Sequence, residues 1–340
     1  MASNVNGTLY GFYYDGSDIV YKRSFDNGHS WSGAAASTGT GSLASDNFRW
    51  TIAHTVYNGT DRIVLLYYVV SGSNTNFYQK TFKALDTGLL AVSTVTSFSA
   101  ANDASCTPTG TCAAAAGSGD ATSTFHAAYR WKSGGSWHYK ILKSGDGGSS
   151  WSTSLNTVDV TTTSNQFPIT LTFLNNSTKM LFAYTTYESG DLYYRVYNGT
   201  TWGSVNTVSA GIAANTPKQI SSGTVDPHFA NGTSIKAYVS YLSGGNQGTL
   251  KVARFSDGLF EATETADSTL VHWLPSISVT RDNRLHIYSL YGGVIYDTMR
   301  NDTAWSPPIA PYGVSYESPD HLTAQIAGIS STGVMWRSGS

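Results

Sequence analysis

The sequence is short of charge, of cysteine and of long apolar runs, and each shortage removes a class of function. Only 12% of its 340 residues are charged, 20 basic against 22 acidic, for a formal net charge of -2. A balance of that kind supplies no basic patch for nucleic acid or for an anionic membrane surface. No apolar run is long enough to cross a bilayer, which argues against membrane insertion. Met1-Ala2-Ser3-Asn4 leads straight into strand-like sequence, so no signal peptide is expected, while a cleaved leader or a larger parent chain stays open. Ala- and Leu-rich amphipathic runs are scarce, which disfavours helices. The 34 glycines and 22 tyrosines instead fit many short strands joined by tight turns.

The two cysteines stand close together in Cys106-Thr-Pro-Thr-Gly-Thr-Cys112. Pro108 and Gly110 favour a turn that brings the thiols together, so a disulfide and an oxidising compartment are the first expectation, with free thiols as the alternative. No second Cys/His pair at ligand spacing accompanies them, which disfavours zinc. No cofactor is indicated. Asp120, Asp226 and Asp282 are too scattered to argue for more than an unspecified loop calcium.

What is present is a repeat. An apolar, Tyr-rich strand (B), a Gly or Ser turn and a strand ending in a basic residue (C) are followed by a Trp or Phe. Tyr10–Tyr14, Ile19–Arg23 and Trp31 make one copy. Phe125–Arg130, Trp137–Lys140 and Trp151 make another, and Met180–Tyr184, Leu192–Arg195 and Trp202 a third. Ile235–Tyr241, Leu250–Arg254 and Phe260 follow, then Leu285–Tyr291, Val294–Arg300 and Trp305. Ile63–Tyr68 with Phe77–Lys80 is a degenerate copy. A short strand (A) precedes each B strand or closes the chain: Ile52–Val56, Ala113–Gly117, Ile169–Phe173, Gln219–Gly223, Ser276–Val279 and Thr323–Gly328. A variable strand (D) follows the aromatic residue.

The period of roughly 50 to 60 residues is that of a four-stranded propeller blade. The expected fold is therefore an all-β, six-bladed propeller spanning 1–340 as a single domain. Its first blade would take its A strand from the C-terminus, which would close the ring. Val334-Met-Trp-Arg337 is left over, so a seven-bladed alternative stays open.

Two C-to-D turns carry the most specific pattern: Ser24-Phe-Asp26-Asn-Gly28-His-Ser30-Trp31 and Ser144-Gly-Asp146-Gly-Gly148-Ser-Ser150-Trp151. Each fits Ser-x-Asp-x-Gly-x-Ser/Thr-Trp. The carboxylate can accept turn N–H groups, Gly supplies a positive φ, and Trp packs beneath. On these residues the chain resembles the Asp-box (BNR repeat) sialidase-like β-propeller superfamily. That resemblance implies that the boxes are structural and lie on the face opposite any active site, so function has to be argued from the other face.

Sequons at Asn6, Asn58, Asn175, Asn176, Asn231, Asn198 and Asn301 fall in A–B or C–D turns, on the box face. The first reading is that Asn-Gly turns make good hairpins, and glycosylation of a secreted protein is the second. The opposite face, built from B–C and D–A loops, collects aromatic and polar residues suited to sugars. The candidate ligand contacts are Asp46, Arg49, Trp50, Gln166, Tyr187, Lys218, Trp273 and Tyr291. Flat C–H faces stack on aromatic rings, and hydroxyls take paired hydrogen bonds.

Sialidases of this family use an arginine triad, a Tyr–Glu nucleophile pair and an acid/base Asp. Here Arg23, Arg195, Arg254 and Arg300 recur at C-strand ends as scaffold, and only Arg49 lies near the expected face. The family's Arg-Ile-Pro signature is missing. Tyr187-Glu188 is a poor match for the nucleophile pair, because adjacent strand side chains point oppositely. Asp320, His321, His272 and Glu188 stand as acid/base candidates for a glycoside hydrolase or a polysaccharide lyase.

The leading expectation is an extracellular or surface-exposed glycan-binding adhesin or receptor-binding module. A sialidase-like hydrolase or lyase is the second expectation, and a structural protein-docking module of a surface or viral fibre the third. Whether the chain is an enzyme, and its oligomeric state, stay undecided by the residues.

Overall fold

In a computed structural model the described residues are the chain without 1, 4–6, 27–29, 42, 44–47, 72–73, 102–112, 118–123, 134–135, 161–167, 175–178, 217, 225–235, 246, 257, 280–283, 302–303, 311–318, 327–331 and 339–340. Backbone alone is described at 2–3, 48–49, 70–71, 74, 97–101, 113–117, 131–133, 136, 153–160, 224, 236, 262, 301, 319–326 and 332–338. Among the described residues there is no helix. Contacts divide the chain into two compact units, Met1–Cys106 with Thr111–Thr162 and Thr107–Gly110 with Thr163–Ser340.

The first unit holds three antiparallel four-stranded sheets. One is β1 (Ala2–Ser3), β2 (Leu9–Tyr14), β3 (Ile19–Ser24) and β4 (Ala36–Ser37). The next is β5 (Phe48–Tyr57), β6 (Thr60–Ser71), β7 (Asn74–Leu85) and β8 (Gly88–Ala101). The third is β9 (Ala113–Gly117), β10 (Phe125–Ser133), β11 (Ser136–Ser144) and β12 (Ser152–Val160).

The second unit opens with a fourth such sheet: β13 (Ile169–Phe173), β14 (Met180–Thr185), β15 (Asp191–Tyr197) and β16 (Asn206–Ser209). A seven-stranded sheet follows: β17 (Ile220–Thr224), β18 (Lys236–Leu242), β19 (Gln247–Ser256), β20 (Leu259–Val279), β21 (Leu285–Tyr291), β22 (Val294–Asn301) and β23 (Ala304–Trp305). A hairpin of β24 (Pro319–Ile326) and β25 (Thr332–Ser338) ends the chain.

The A-B-C-D repeat is thus realised as successive meanders, with two differences from the sequence-based expectation. The long strand β20 serves two meanders at once. Its first part pairs with β19 as a D strand, up to Trp273 opposite Gln247, and its last part pairs with β21 as an A strand, from Trp273 opposite Leu290 to Val279 opposite Leu285. The second difference concerns closure. The C-terminal strand does not pair with β2, whose partners are β1 and β3. Instead β24 pairs with β25, Leu322 opposite Trp336 and Ala324 opposite Val334, which accounts for the leftover tail. Ala2 and Ser3 reach Tyr10 and Leu9 and supply the first sheet's edge locally, a pairing that needs only a short loop.

The B strands can be apolar throughout because they are covered on both faces. In β14 every residue from Met180 to Thr185 is buried. Along β18, Ala237, Val239 and Tyr241 pack with Leu181, Ala183 and Leu192, while Tyr238 and Leu242 on the other face pack with Ile277, Val279 and Ile287. Each fully buried aliphatic or aromatic side chain contributes about 1.5–3 kcal/mol. Such face-to-face stacking of small sheets explains Tyr-rich strands without a clean apolar/polar alternation.

The turns follow their residues. Asn58 and Gly59 take φ +48° and +69° in the β5–β6 hairpin, the doubly positive geometry that Asn-Gly favours. Asn198 accepts hydrogen bonds from the amides of Thr200 and Thr201 at 2.9 and 2.8 Å. Both sequons therefore have a turn role.

The two box-pattern turns share one network. Ser24 Oγ donates to Asp26 Oδ1 at 2.7 Å, and Ser30 donates to Asp26 through N at 2.8 Å and Oγ at 2.5 Å. Ser144 Oγ donates to Asp146 at 2.7 Å, and Ser150 donates through N at 2.9 Å and Oγ at 2.6 Å. Gly28 lies outside the described residues. Trp31 packs on Gly11 of β2, where an added Cβ would come within 2.9 Å of its ring. Trp151 stacks on Phe125 of β10 at 6.3 Å. Each Trp thus packs on its own sheet's B strand. The second turn also docks on the β5–β8 sheet, as Thr81 and Ser93 donate to the Gly148 carbonyl at 2.9 and 2.8 Å.

Candidate functional site

Alternate connections of a meander lie at opposite ends of its strands. In the second unit the end away from the C–D turns is built, among the described residues, by 186–190, 210–216, 218–219 and 243–245, the middle of β20, and the β21–β22 turn. Several residues singled out from sequence meet there.

Lys218 is the anchor. Its side chain is fully buried. Nζ donates to the Tyr187 carbonyl at 2.7 Å and the Thr216 carbonyl at 3.2 Å, and lies 5.7 Å from the Tyr187 ring centre. Asn215 N donates to the same Tyr187 carbonyl at 2.8 Å. Burial pushes the ammonium down to about 8, while the Glu188 carboxylate pulls it the other way. Tyr187, Glu188 and Lys218 are therefore one cluster, in which lysine satisfies two loop carbonyls that would otherwise be costly to bury.

The next residue extends that cluster. Gln219 Oε1 accepts the Leu274 amide at 2.6 Å. Leu274 has φ +50° and is followed by Pro275, which has no N–H to give. Here the ladder slips, three steps along β20 from Trp273 to Ser276 matching two along β21 from Leu290 to Tyr288. This is a β-bulge, which re-aims neighbouring side chains. Trp273, immediately before it, is 43% exposed although strands flank it on both sides, and Tyr291 is 41% exposed. Trp273 and Tyr291 thus expose large aromatic rings to solvent, and Trp273 is one residue from the Leu274–Gln219 bond.

His272 lies on the other side of Trp273 and is fully buried. Its Nδ1 is 2.7 Å from Ser289 Oγ, and its Nε2 is 2.6 Å from Asp267 Oδ2. The order Ser–His–Asp is that of a hydrolytic triad, but all three groups are buried, so no substrate carbonyl can reach the hydroxyl. For the acid/base candidate His272, the structure therefore shows a buried ring with both nitrogens within hydrogen-bond distance of protein partners. Burial alone would raise the Asp267 carboxyl, yet hydrogen bonds from His272, Thr269 and Leu270 hold it below the ordinary value. The group is a lock between the outer part of β20 and β21.

The remaining candidates divide. Trp50 is half-buried in β5, opposite Tyr67. Arg49 has its backbone in β5, and Asp320 and His321 have theirs in β24, His321 opposite Arg337, with side chains outside the described residues. Asp46, Gln166, Cys106 and Cys112 lie outside the described residues altogether. Two of the arginines read as scaffold bond within their own hairpin, Arg195 Nε to the Gly203 carbonyl at 2.7 Å and Arg254 to Glu261, while Arg300 Nε reaches Glu264 at 2.9 Å and Arg23 reaches the Asp86 carbonyl. Among the described residues no group of three His, Cys, Asp or Glu is placed to hold a metal ion. Sequence reasoning missed Gln219, Asp267 and Ser289. Gln219 had one available signal, its place directly after Lys218 at a strand entrance, while the other two read as ordinary strand residues.

No family model and no curated protein matches the sequence. Solved structures do. A Hadza microbial sialidase aligns over 94% of this chain and 71% of its own, at 10% identity and a TM-score of 0.52. A Penicillium chrysogenum α-L-arabinanase complexed with arabinobiose aligns over 84% and 93%, at 12% identity and a TM-score of 0.51. A Fusarium graminearum α-L-arabinofuranosidase in complex with an iminosugar inhibitor aligns over 81% and 83%, at 12% identity and a TM-score of 0.50. At such identities the likeness is one of fold: the chain has an all-β, propeller-like architecture.

Proposed function

We propose that the chain is a secreted or surface-exposed carbohydrate-recognising propeller of six four-stranded blades, β20 serving two of them. Its sugar-facing end in the second unit presents Trp273 and Tyr291, with the Tyr187 loop held in place by the buried Lys218. The observation that carries this reading is the exposure of Trp273 and Tyr291, with Trp273 joined to the Tyr187–Lys218 loop through the Leu274–Gln219 bond. A sugar's C–H face stacks on such rings, and the neighbouring loop groups supply hydrogen bonds. The arabinobiose in the arabinanase complex supports the reading by fold analogy. Binding rather than turnover is the preferred form, because His272 is sealed and the sequence lacks the Arg-Ile-Pro signature of the sialidases it resembles.

The second reading, a glycoside hydrolase, is favoured by the chemistry of the solved neighbours and rests here on Glu188, Asp320 and His321. A panel of immobilised sialosides, arabinans and uronate polymers, assayed both for retention and for released reducing ends, separates the two. Retention without release, weakened about tenfold or more by Trp273→Ala, is the expected result. Release abolished by Glu188→Gln selects the hydrolase. Neither retention nor release, with capture of a protein partner, selects the docking module.

A further inference from the structure

Trp273 is exposed on a strand that bulges one residue later, where a break in the ladder leaves the backbone beneath the ring without regular strand support. Its backbone is nevertheless gripped on both sides. On one side His272 is buried between Asp267 and Ser289. On the other, Leu274 is kept in a left-handed conformation that leucine rarely adopts, at φ +50°, and Pro275 removes the next donor from the ladder. The ladder is broken at this point, so the Leu274 amide has lost its strand partner. It donates instead to Gln219 Oε1 at 2.6 Å. Gln219 and Ser221 lie two residues apart, and Ser221 Oγ accepts the Ile277 amide at 3.3 Å. Since β17 and β20 are not ladder neighbours, these side chains substitute for strand pairing across the bulge. The same Gln219 follows Lys218, which holds the Tyr187 loop.

We infer that Gln219 is a positioning residue: by capping the Leu274 amide it holds the bulge that presents Trp273, and it couples that ring to the Tyr187–Lys218 loop. The consequence for sugar affinity rests on the proposed function, whereas the positioning does not. A group that fixes a binding ring before the ligand arrives reduces the ordering cost of association.

The test uses the full chain labelled with fluorotryptophan. The Trp273 fluorine resonance is assigned by its loss in Trp273→Phe. Gln219→Leu and the milder Gln219→Asn, which is one methylene too short to reach, are each expected to move or broaden that resonance alone among the nine tryptophans. Gln219→Glu, which keeps an acceptor at the same reach, is expected to restore it. Affinity for the best sugar of the panel falls about five- to tenfold in Leu and Asn and returns in Glu. A Trp273 resonance that superposes on wild type in both Leu and Asn overturns the inference. If the resonance responds but no sugar is retained by any variant, the positioning stands and the carbohydrate reading fails.

Discussion

Buried ionisable side chains set the pH behaviour residue by residue. Lys218 titrates near 8 in the fold against an ordinary value of 10.5. Between those values the unfolded chain binds more protons than the folded one, so this residue's contribution to stability rises as pH climbs through that window. Urea midpoints of wild type and Lys218→Met at pH 7.5 and 10 are expected to separate further in favour of wild type at the higher pH. His126 behaves in the acid range. Burial first, and then the charge of Lys143, lower it to about 3 from 6.5. Its neutral form is the folded form, so stability is full above 6.5 and falls as pH drops toward 3. Thermal midpoints at pH 7 and 4.5 are expected to drop less in His126→Leu than in wild type. His272 illustrates what sequence withholds at this scale. A histidine beside Trp and Pro at a strand entrance looks like an acid/base, but its partners Asp267 and Ser289 stand 5 and 17 residues away and become visible only once β20 and β21 are paired.

Elements follow the sequence more closely, because turn chemistry is local. The strands Ala113–Gly117 and Ile169–Phe173 were readable to the residue from their apolar runs and neighbouring turn signals. β20 was not, since Leu274-Pro275 reads as a break. The chain crosses it as a bulge, supported by Gln219, which directly precedes β17, a strand that is not a ladder neighbour of β20. The box-pattern turns give a sharper test. Gly148 has φ +86°, and an added Cβ would lie 2.4 Å from Thr81 Oγ1. Gly148→Ala combines left-handed strain with overpacking and is expected to cost about 2–4 kcal/mol in denaturant unfolding. Gly16 has φ +103° with open space around it, so Gly16→Ala is expected to cost less, about 1–2 kcal/mol. Equal costs at the two positions would mean that the docking of the Gly148 turn on the β5–β8 sheet contributes nothing.

For the whole molecule, a repeat of A-B-C-D strands made the architecture legible, and periodicity carries that far because each meander needs the same two-sided burial. The edge strand of the first sheet was misassigned to the C-terminus, since composition does not distinguish Ala2–Ser3 from any other short extended segment. The account's central claim is that a sugar meets the loop end of the second unit and not the box-pattern turns. Backbone amide shift mapping with the best-bound glycan measures this directly. The account predicts shifts concentrated at 186–190, 212–219 and 272–276, and abolished by Trp273→Ala. Shifts concentrated at 24–32 and 144–152, or unchanged by Trp273→Ala, would contradict it.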